Sequence, residues 1–518
     1  MRTIRLIFIL IFLFFNIVHS QVPTFNSTFY FGYPATIFRD IIVTDSCIYA
    51  SGLVLDSISP YNTGALFVKF GLNGEPLIVK TLTSSTKNYL NFEGVFLEIG
   101  DILIRTGHTE DFDDPIDTYK LLLMAYNHDG DTIFTKEYVS PYHDDFRSGG
   151  VLKLDSGDLL LSGYSFNGNN YDAIISKVDS IGNLIWTQVY PGEFSEMPGP
   201  YLTKLEGNSF MIGGSRNNYY QELQNFVFRN WIMCIDSIGH IQWTWESSND
   251  LKLSGIGILA KGDNSSYIGA TGIGTEKPIN AFHSQMIWDG YIYKLNSDFG
   301  QEWAITFKDS IPGAETGLGK ILSLSDSSGY LACGAVYEIT PPGFNINGWV
   351  VKFTEEGDSI WSRYFHYWDT PYDLHYFSDM EEMPDGGILL CGQAYSGNVG
   401  TQQQLGWLVK LDEFGCLVPG CQLVATGDIE GNPQGVAVRL YPNPATDILN
   451  IYTWSPYTPK NALIRIVSSN GQVVRESPVT RSDMTSMIPV RDLAAGVYFV
   501  QYVEGGVVVA MEEAVIAR

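Results

Sequence analysis

The stretch KVDSIGNLIW, Lys177 to Trp186, is one of seven related segments spread along the chain. The others are KFGLNGEPLI from Lys69, AYNHDGDTIF from Ala125, CIDSIGHIQW from Cys234, KLNSDFGQEW from Lys294, KFTEEGDSIW from Lys352 and KLDEFGCLVP from Lys410. Each reads as strand, tight turn, strand, with Gly supplying positive φ and Asp or Asn bonding locally. The glycine of the fifth copy shifts to Gly300, yet Lys294 and Trp303 keep the separation of Lys177 and Trp186. The turn varies while register is kept, because a one-residue slip would turn every side chain to the wrong face.

An apolar run ending in a small residue and Gly precedes each copy: Ser51-Gly52, Thr106-Gly107, Ser162-Gly163, Gly213-Gly214, Thr271-Gly272, Cys333-Gly334 and Cys391-Gly392. The absence of bulk implies a crowded place where backbones pass closely. Each unit then holds about four strands in roughly 52–60 residues, a propeller-blade period. The reading is all-β: a seven-bladed β-propeller over 21–424. After Lys410 the chain gives CLVPGC instead of a fourth strand, while STFYFGYP, from Ser27, has no partner nearby. This N-terminal strand is expected to complete the last blade and cover its edge. The recurring Trp186, Trp243, Trp303 and Trp361 are expected in the blade core, and the recurring Lys on the surface beside the turn.

Residues 1–20 have the form of a signal peptide. Arg2 and Arg5 precede IFILIFLFF, and Val18 and Ser20 offer small residues before a cut at Gln21. No later run is apolar enough to span a bilayer, so no transmembrane segment is expected in the mature chain. In an oxidising compartment Cys416 and Cys421 are expected to form a small-loop disulfide. Cys47, Cys234, Cys333 and Cys391 read as small buried hydrophobes. The formal net charge of −26 disfavours nucleic acid as a partner.

After a linker at 425–435 the pattern changes. Residues 436–518 alternate apolar and polar and read as a small antiparallel, immunoglobulin-like β-sandwich. Tyr441-Pro442-Asn443-Pro444, Ser469-Asn470-Gly471-Gln472-Val473 and Leu493-Ala494-Ala495-Gly496-Val497-Tyr498 stand in order along it. With these motifs the tail resembles the type A C-terminal sorting domain of the type IX secretion system of Bacteroidetes. The resemblance implies the type IX machinery as a partner, and a secreted or outer-surface location. The last residues, MEEAVIAR, carry less lysine than that family often does.

Chemistry is sparse. HExxH and GxSxG are absent, so no metal, cofactor or catalytic residue is assigned. Tyr142-His143-Asp144-Asp145 reads as a solvated loop. EDFDDPID, from Glu110, could gather round Ca²⁺ but lacks an EF-hand framework. FHYWDTPYDLHY, from Phe365, is an aromatic patch that either packs outer strands or stacks on sugars or peptides. Asp-Ser/Thr-Ile recurs at Asp56, Asp131, Asp179, Asp236, Asp309 and Asp358; it resembles a Bacteroidetes O-glycosylation sequon and equally suits turns. The repeats look uniform, without a catalytic insertion. The expected function is a non-catalytic binding or adhesion module for an extracellular glycan or protein, with a propeller-based polysaccharide hydrolase or lyase as the alternative. Paired acids at a channel mouth would favour the enzyme.

Overall fold

The computed structural model describes residues 22–517 except 57–61, 91–94, 113–118, 143–144, 221–224, 249–251, 261–264, 281–282, 308–316, 341–342, 369, 398–402, 419–435, 456–457, 469–471 and 505–506. The chain divides into two compact units, 1–419 and 420–518.

The first is a succession of antiparallel four-stranded meanders. Unit one comprises Ala35–Val43, Cys47–Leu55, Thr63–Gly71 and Pro76–Leu82. In unit two the innermost strand is split into Lys87–Leu90 and Phe96–Ile99, both paired with Ile102–Asp111; Tyr119–Tyr126 and Thr132–Tyr138 follow. Unit three runs from Phe146 to Tyr190, unit four from Ser195 to Glu246, unit five from Lys252 to Phe307 and unit six from Gly317 to Phe365. Unit seven has Leu374–Glu382, Ile388–Tyr395 and Gln404–Leu411. Its fourth strand is Phe25–Phe29, antiparallel to Gln404–Leu411 with Phe25 opposite Lys410. The innermost strands of units one and seven pack together, and Ala35 bridges to Gln404, so the β-propeller ring is closed.

The small-Gly pairs have the predicted reason. In all units but the second, the innermost strand carries a register shift opposite them, as between Phe377 and Asp379. There the strands approach so closely that a Cβ on Gly392 would run into the Tyr376 carbonyl. The bulge adds an unpaired residue and re-aims its neighbours. The four free cysteines, Cys47, Cys234, Cys333 and Cys391, are buried in second or third strands of their units.

The repeats are less uniform than they read. The second and third strands of units four, five and six are lengthened into ribbons: Phe210–Tyr220 with Asn225–Ile235, Ser266–Asn280 with His283–Asn296, and Tyr330–Thr340 with Gly343–Phe353. In unit three the equivalent strands are Leu159–Phe166 and Tyr171–Val178. In an up-and-down meander these hairpin ends share a face with the connections between units, so the ribbons extend one face of the ring.

The second unit is a β-sandwich. One sheet joins Ala437–Tyr441, Ile448–Trp454 and Asp483–Pro489; the other joins Val473–Val479, Ala462–Ser468, Gly496–Glu504 and Val507–Ile516. Leu449, Ile451, Ile464, Ile466, Val500 and Tyr502 from both sheets share one core. No described helix is long and apolar enough to cross a membrane.

Candidate functional site

The recurring tryptophans are half-buried and pack against the hydrophobic clusters at the seams between units. Each stands on an outermost strand opposite the recurring Lys or its equivalent, as Trp186 opposite Lys177. The ring covers the turn of the next unit. A Cβ on Gly239 would lie 3.2 Å from Trp186, and one on Gly357 2.8 Å from Trp303. Trp361 likewise covers Gly415. These glycines have φ of +91°, +92° and +74°, so both backbone and space require them. Trp243 instead packs on Phe299, with ring centroids 4.4 Å apart. Phe25 holds the tryptophan position of unit seven and covers Gly74 of unit one.

The recurring lysines are not free surface residues either. Lys69 pairs with Asp129 at 3.3 Å, Lys177 with Asp158 at 2.9 Å and Lys294 with Glu355 at 2.8 Å. Lys410 is buried and pairs with Asp385. All four of these carboxylates come from other loops of the same or the next unit, which the repeat alone does not display.

Charges that the sequence scatters meet on the innermost strands. Asp40 of unit one and Asp379 of unit seven are buried, and their side chains share a hydrogen bond. Asp40 Oδ2 accepts from the Phe96 amide at 3.0 Å, and Asp379 Oδ2 from the Ile41 amide at 2.9 Å. Lys320 of unit six reaches Asp379 Oδ1 at 2.5 Å. The Tyr201 hydroxyl of unit four donates to the Gly319 carbonyl across the ring. Burial and the neighbouring Asp379 hold the Asp40 carboxyl well above its usual range. Burial, with Asp379 again beside it, pushes Glu381 up to about 7. The carboxylates thus converge, but within the ring and on partners of their own.

The ribbon face carries exposed aromatics. Tyr337 stacks on Phe344 with centroids 4.9 Å apart at 18°, and Phe344 meets Tyr372 edge-on at 5.5 Å. Tyr372 is 46% exposed and Tyr367 42%. The buried part of the patch is structural. Asp373 accepts from the Thr370 amide and hydroxyl at 2.7 and 2.8 Å, and His375 Nε2 accepts from the Trp368 amide at 3.3 Å. The patch packs inward through Asp373 and His375 and leaves Tyr367 and Tyr372 facing outward. His143 and Asp144 lie outside the described residues, as do Asp113, Asp114 and Asp117. Asp111 is held below the usual carboxylate range by Lys120 and Lys87, which fill its coordination sphere with cations. Among the described residues no three His, Cys, Asp or Glu side chains gather as a metal site. Asp179 and Asp236 brace their turns, each accepting from amides two and four residues on.

Cys416 is buried and disulfide-bonded, and its Sγ accepts from Arg363 at 3.2 Å; Cys421 lies outside the described residues. In the sandwich the opening motif has a clear task. Asn443 Nδ2 donates to the Glu513 carbonyl at 2.8 Å and its Oδ1 accepts from the Val515 amide at 2.7 Å. It thus ties the turn at Pro442 and Pro444, both cis, to the last strand. Tyr441 is 49% exposed beside it. In the closing motif Tyr498 donates to the Ala494 carbonyl at 3.0 Å, just before Gly496. Asn470 and Gly471 lie outside the described residues.

A closed β-propeller joined to a β-sandwich with these motifs defines an exported cargo protein with its own sorting tail. Residues 439–516 match the family model of the secretion system C-terminal sorting domain. The chain is accordingly secreted by the type IX route, with release or attachment at the outer surface. No curated protein matches it. Among solved structures it is similar to an α-L-arabinanase of Penicillium chrysogenum, at 10% identity over 77% of this chain and 99% of that one, TM-score 0.40. The polysaccharide lyase Uly1 matches at 8% over 72% and 90%, TM-score 0.41. An α-L-arabinofuranosidase of Fusarium graminearum matches at 12% over 74% and 97%, TM-score 0.39. At these values the likenesses assign neither substrate nor activity.

Proposed function

We propose that this secreted propeller is a non-catalytic binding or adhesion module, taking an extracellular glycan or protein on the face extended by the ribbons of units four to six. The leader at 1–20 directs the chain to export, and a Cys416–Cys421 bridge fastens the end of unit seven. The observation that carries the binding reading is the stack of half-buried Tyr337 and Phe344 near the end of a ribbon, with exposed Tyr372 edge-on against it. Aromatic faces supply large, rigid contact area at low entropic cost. The carboxylates that a hydrolase would use are buried among amides and Lys320.

The polysaccharide hydrolase or lyase remains the second reading, favoured by Glu381. A carboxyl near pH 7 beside a second acid has the character of a general acid. The test is an array of glycans and extracellular proteins probed with the full chain, with product analysis on every glycan bound. Binding without turnover, weakened about tenfold or more by Tyr337→Ala, supports the module. Product release abolished by Glu381→Gln establishes the enzyme instead.

A further inference from the structure

Departures from a repeat locate what one unit does and the others do not. At the turn of the outermost hairpin, six units place Gly74, Gly130, Gly182, Gly239, Gly357 and Gly415, with φ between +74° and +92°. Unit five places Phe299 there, at φ +60°. A bulky side chain in the left-handed region is strained, and such strain is retained where the surroundings use it. Nothing in the turn demands Phe, since Gly300 stands next to it.

The facing strand of unit four departs too. Two residues beyond the seam aromatic the other units carry Lys80, Lys136, Gln188, Ile305, Arg363 and Ser27; unit four carries Trp245. On the third strand, immediately before the recurring Lys or its equivalent, the others carry Val68, Met124, Ser176, Met233, Val351 and Val409; unit five carries Tyr293. These three exceptions line one cavity of about 280 Å³ between units four and five. Phe299 stacks on Tyr267 at 4.9 Å and lies parallel to Trp245 at 6.2 Å. Tyr291 stands beside Tyr293, its ring 5.6 Å away.

The polar groups are few and placed. Glu246 is neutralised by Arg216 at 2.6 Å and Arg229 at 3.5 Å. Gln301 and Ser248 are exposed on the lining, and Gln301 Oε1 accepts from Tyr291 at 3.3 Å. The volume lies just below the range for ligand cavities, about 300–1,000 Å³, which suits one ring and not a chain. Aromatic walls take the C–H faces of a sugar, and amide, hydroxyl and paired carboxylate take its hydroxyls.

We infer that the cleft between units four and five binds a single neutral pyranose ring, held against Trp245 and Phe299. This site is independent of the ribbon face. The test is ligand-observed NMR on the full chain with neutral monosaccharides and their methyl glycosides at millimolar concentration, cross-checked by tryptophan fluorescence. At least one sugar is expected to bind, and Trp245→Ala and Phe299→Gly each to weaken it about tenfold or more. Phe299→Gly restores the residue used by the other six turns and relieves the strained backbone, so a retained melting temperature separates lost binding from lost folding. Tyr337→Ala should leave this binding unchanged while weakening the ribbon face, which keeps the two sites distinguishable. Failure of every sugar to bind, or binding that survives both cleft variants, overturns the inference.

Discussion

Lys320 shows how much can depend on one side chain. It lies against buried Asp379, and Asp379 against buried Asp40, with the lysine itself only partly exposed. Removing one partner of a buried pair strands a charge, which costs about 3–5 kcal/mol. Lys320→Met is therefore expected to lower the free energy of unfolding by about that much, and adding Asp379→Asn to recover most of it, both read by denaturant titration. None of this was legible in the sequence. Asp40, Lys320 and Asp379 share no motif; the ring brings their strands together. The sorting residues were legible because their partners are fixed by a short, contiguous fold, as when Asn443 binds Val515 and Glu513.

Hairpins were the most legible elements, because a turn glycine and flanking aromatics are local facts. Their partners were less so. Trp361 belongs to unit six, yet what it covers is Gly415 of unit seven. The ribbons were hidden for a different reason. Pro278 and the glycines of Ser266–Asn280 speak against a strand, but Gly269 and Gly272 are buried, Gly269 directly under Tyr293 where only Gly fits. The N-terminal strand was read correctly because unit seven visibly lacked a fourth member. Phe25 gives that reading a test. It is half-buried, so Phe25→Ala is expected to cost about 2 kcal/mol, below the 3–5 of a fully buried Phe. Hydrogen exchange should then quicken along Gln404–Leu411, the strand it closes; unchanged protection would mean the strand only rests there.

For the molecule as a whole, acid is the informative perturbation. Burial, helped by Arg147, lowers His108 from an ordinary 6.5 to about 3. The fold keeps this ring neutral while the unfolded chain protonates it. Its contribution to stability is thus complete above pH 6.5 and is lost progressively as pH falls toward 3. Glu381 works in the opposite sense: its carboxyl, raised from 4.5 to about 7, contributes fully below 4.5 and loses that contribution as pH rises to 7. Between about pH 6.5 and pH 4 the His108→Gln variant should lose less stability than the parent, by up to about 3 kcal/mol, measured by thermal or denaturant unfolding at each pH. Parallel pH curves for the two proteins would contradict the assignment.

The strand that closes the ring also sets a timetable. Asn26 accepts a hydrogen bond from Trp407, 381 residues further along. Contacts of such separation bear the largest loop-closure entropy and are among the slowest to form. Of the propeller's strands, a ribosome delivers Phe25–Phe29 first and its partner strand Gln404–Leu411 last. For the whole of the propeller's synthesis the earliest strand waits without its mate, and units one to six stack with both ends of the row open. The final step in making this propeller is the joining of its oldest segment to its youngest, so a chain halted anywhere before unit seven has no way to become a ring.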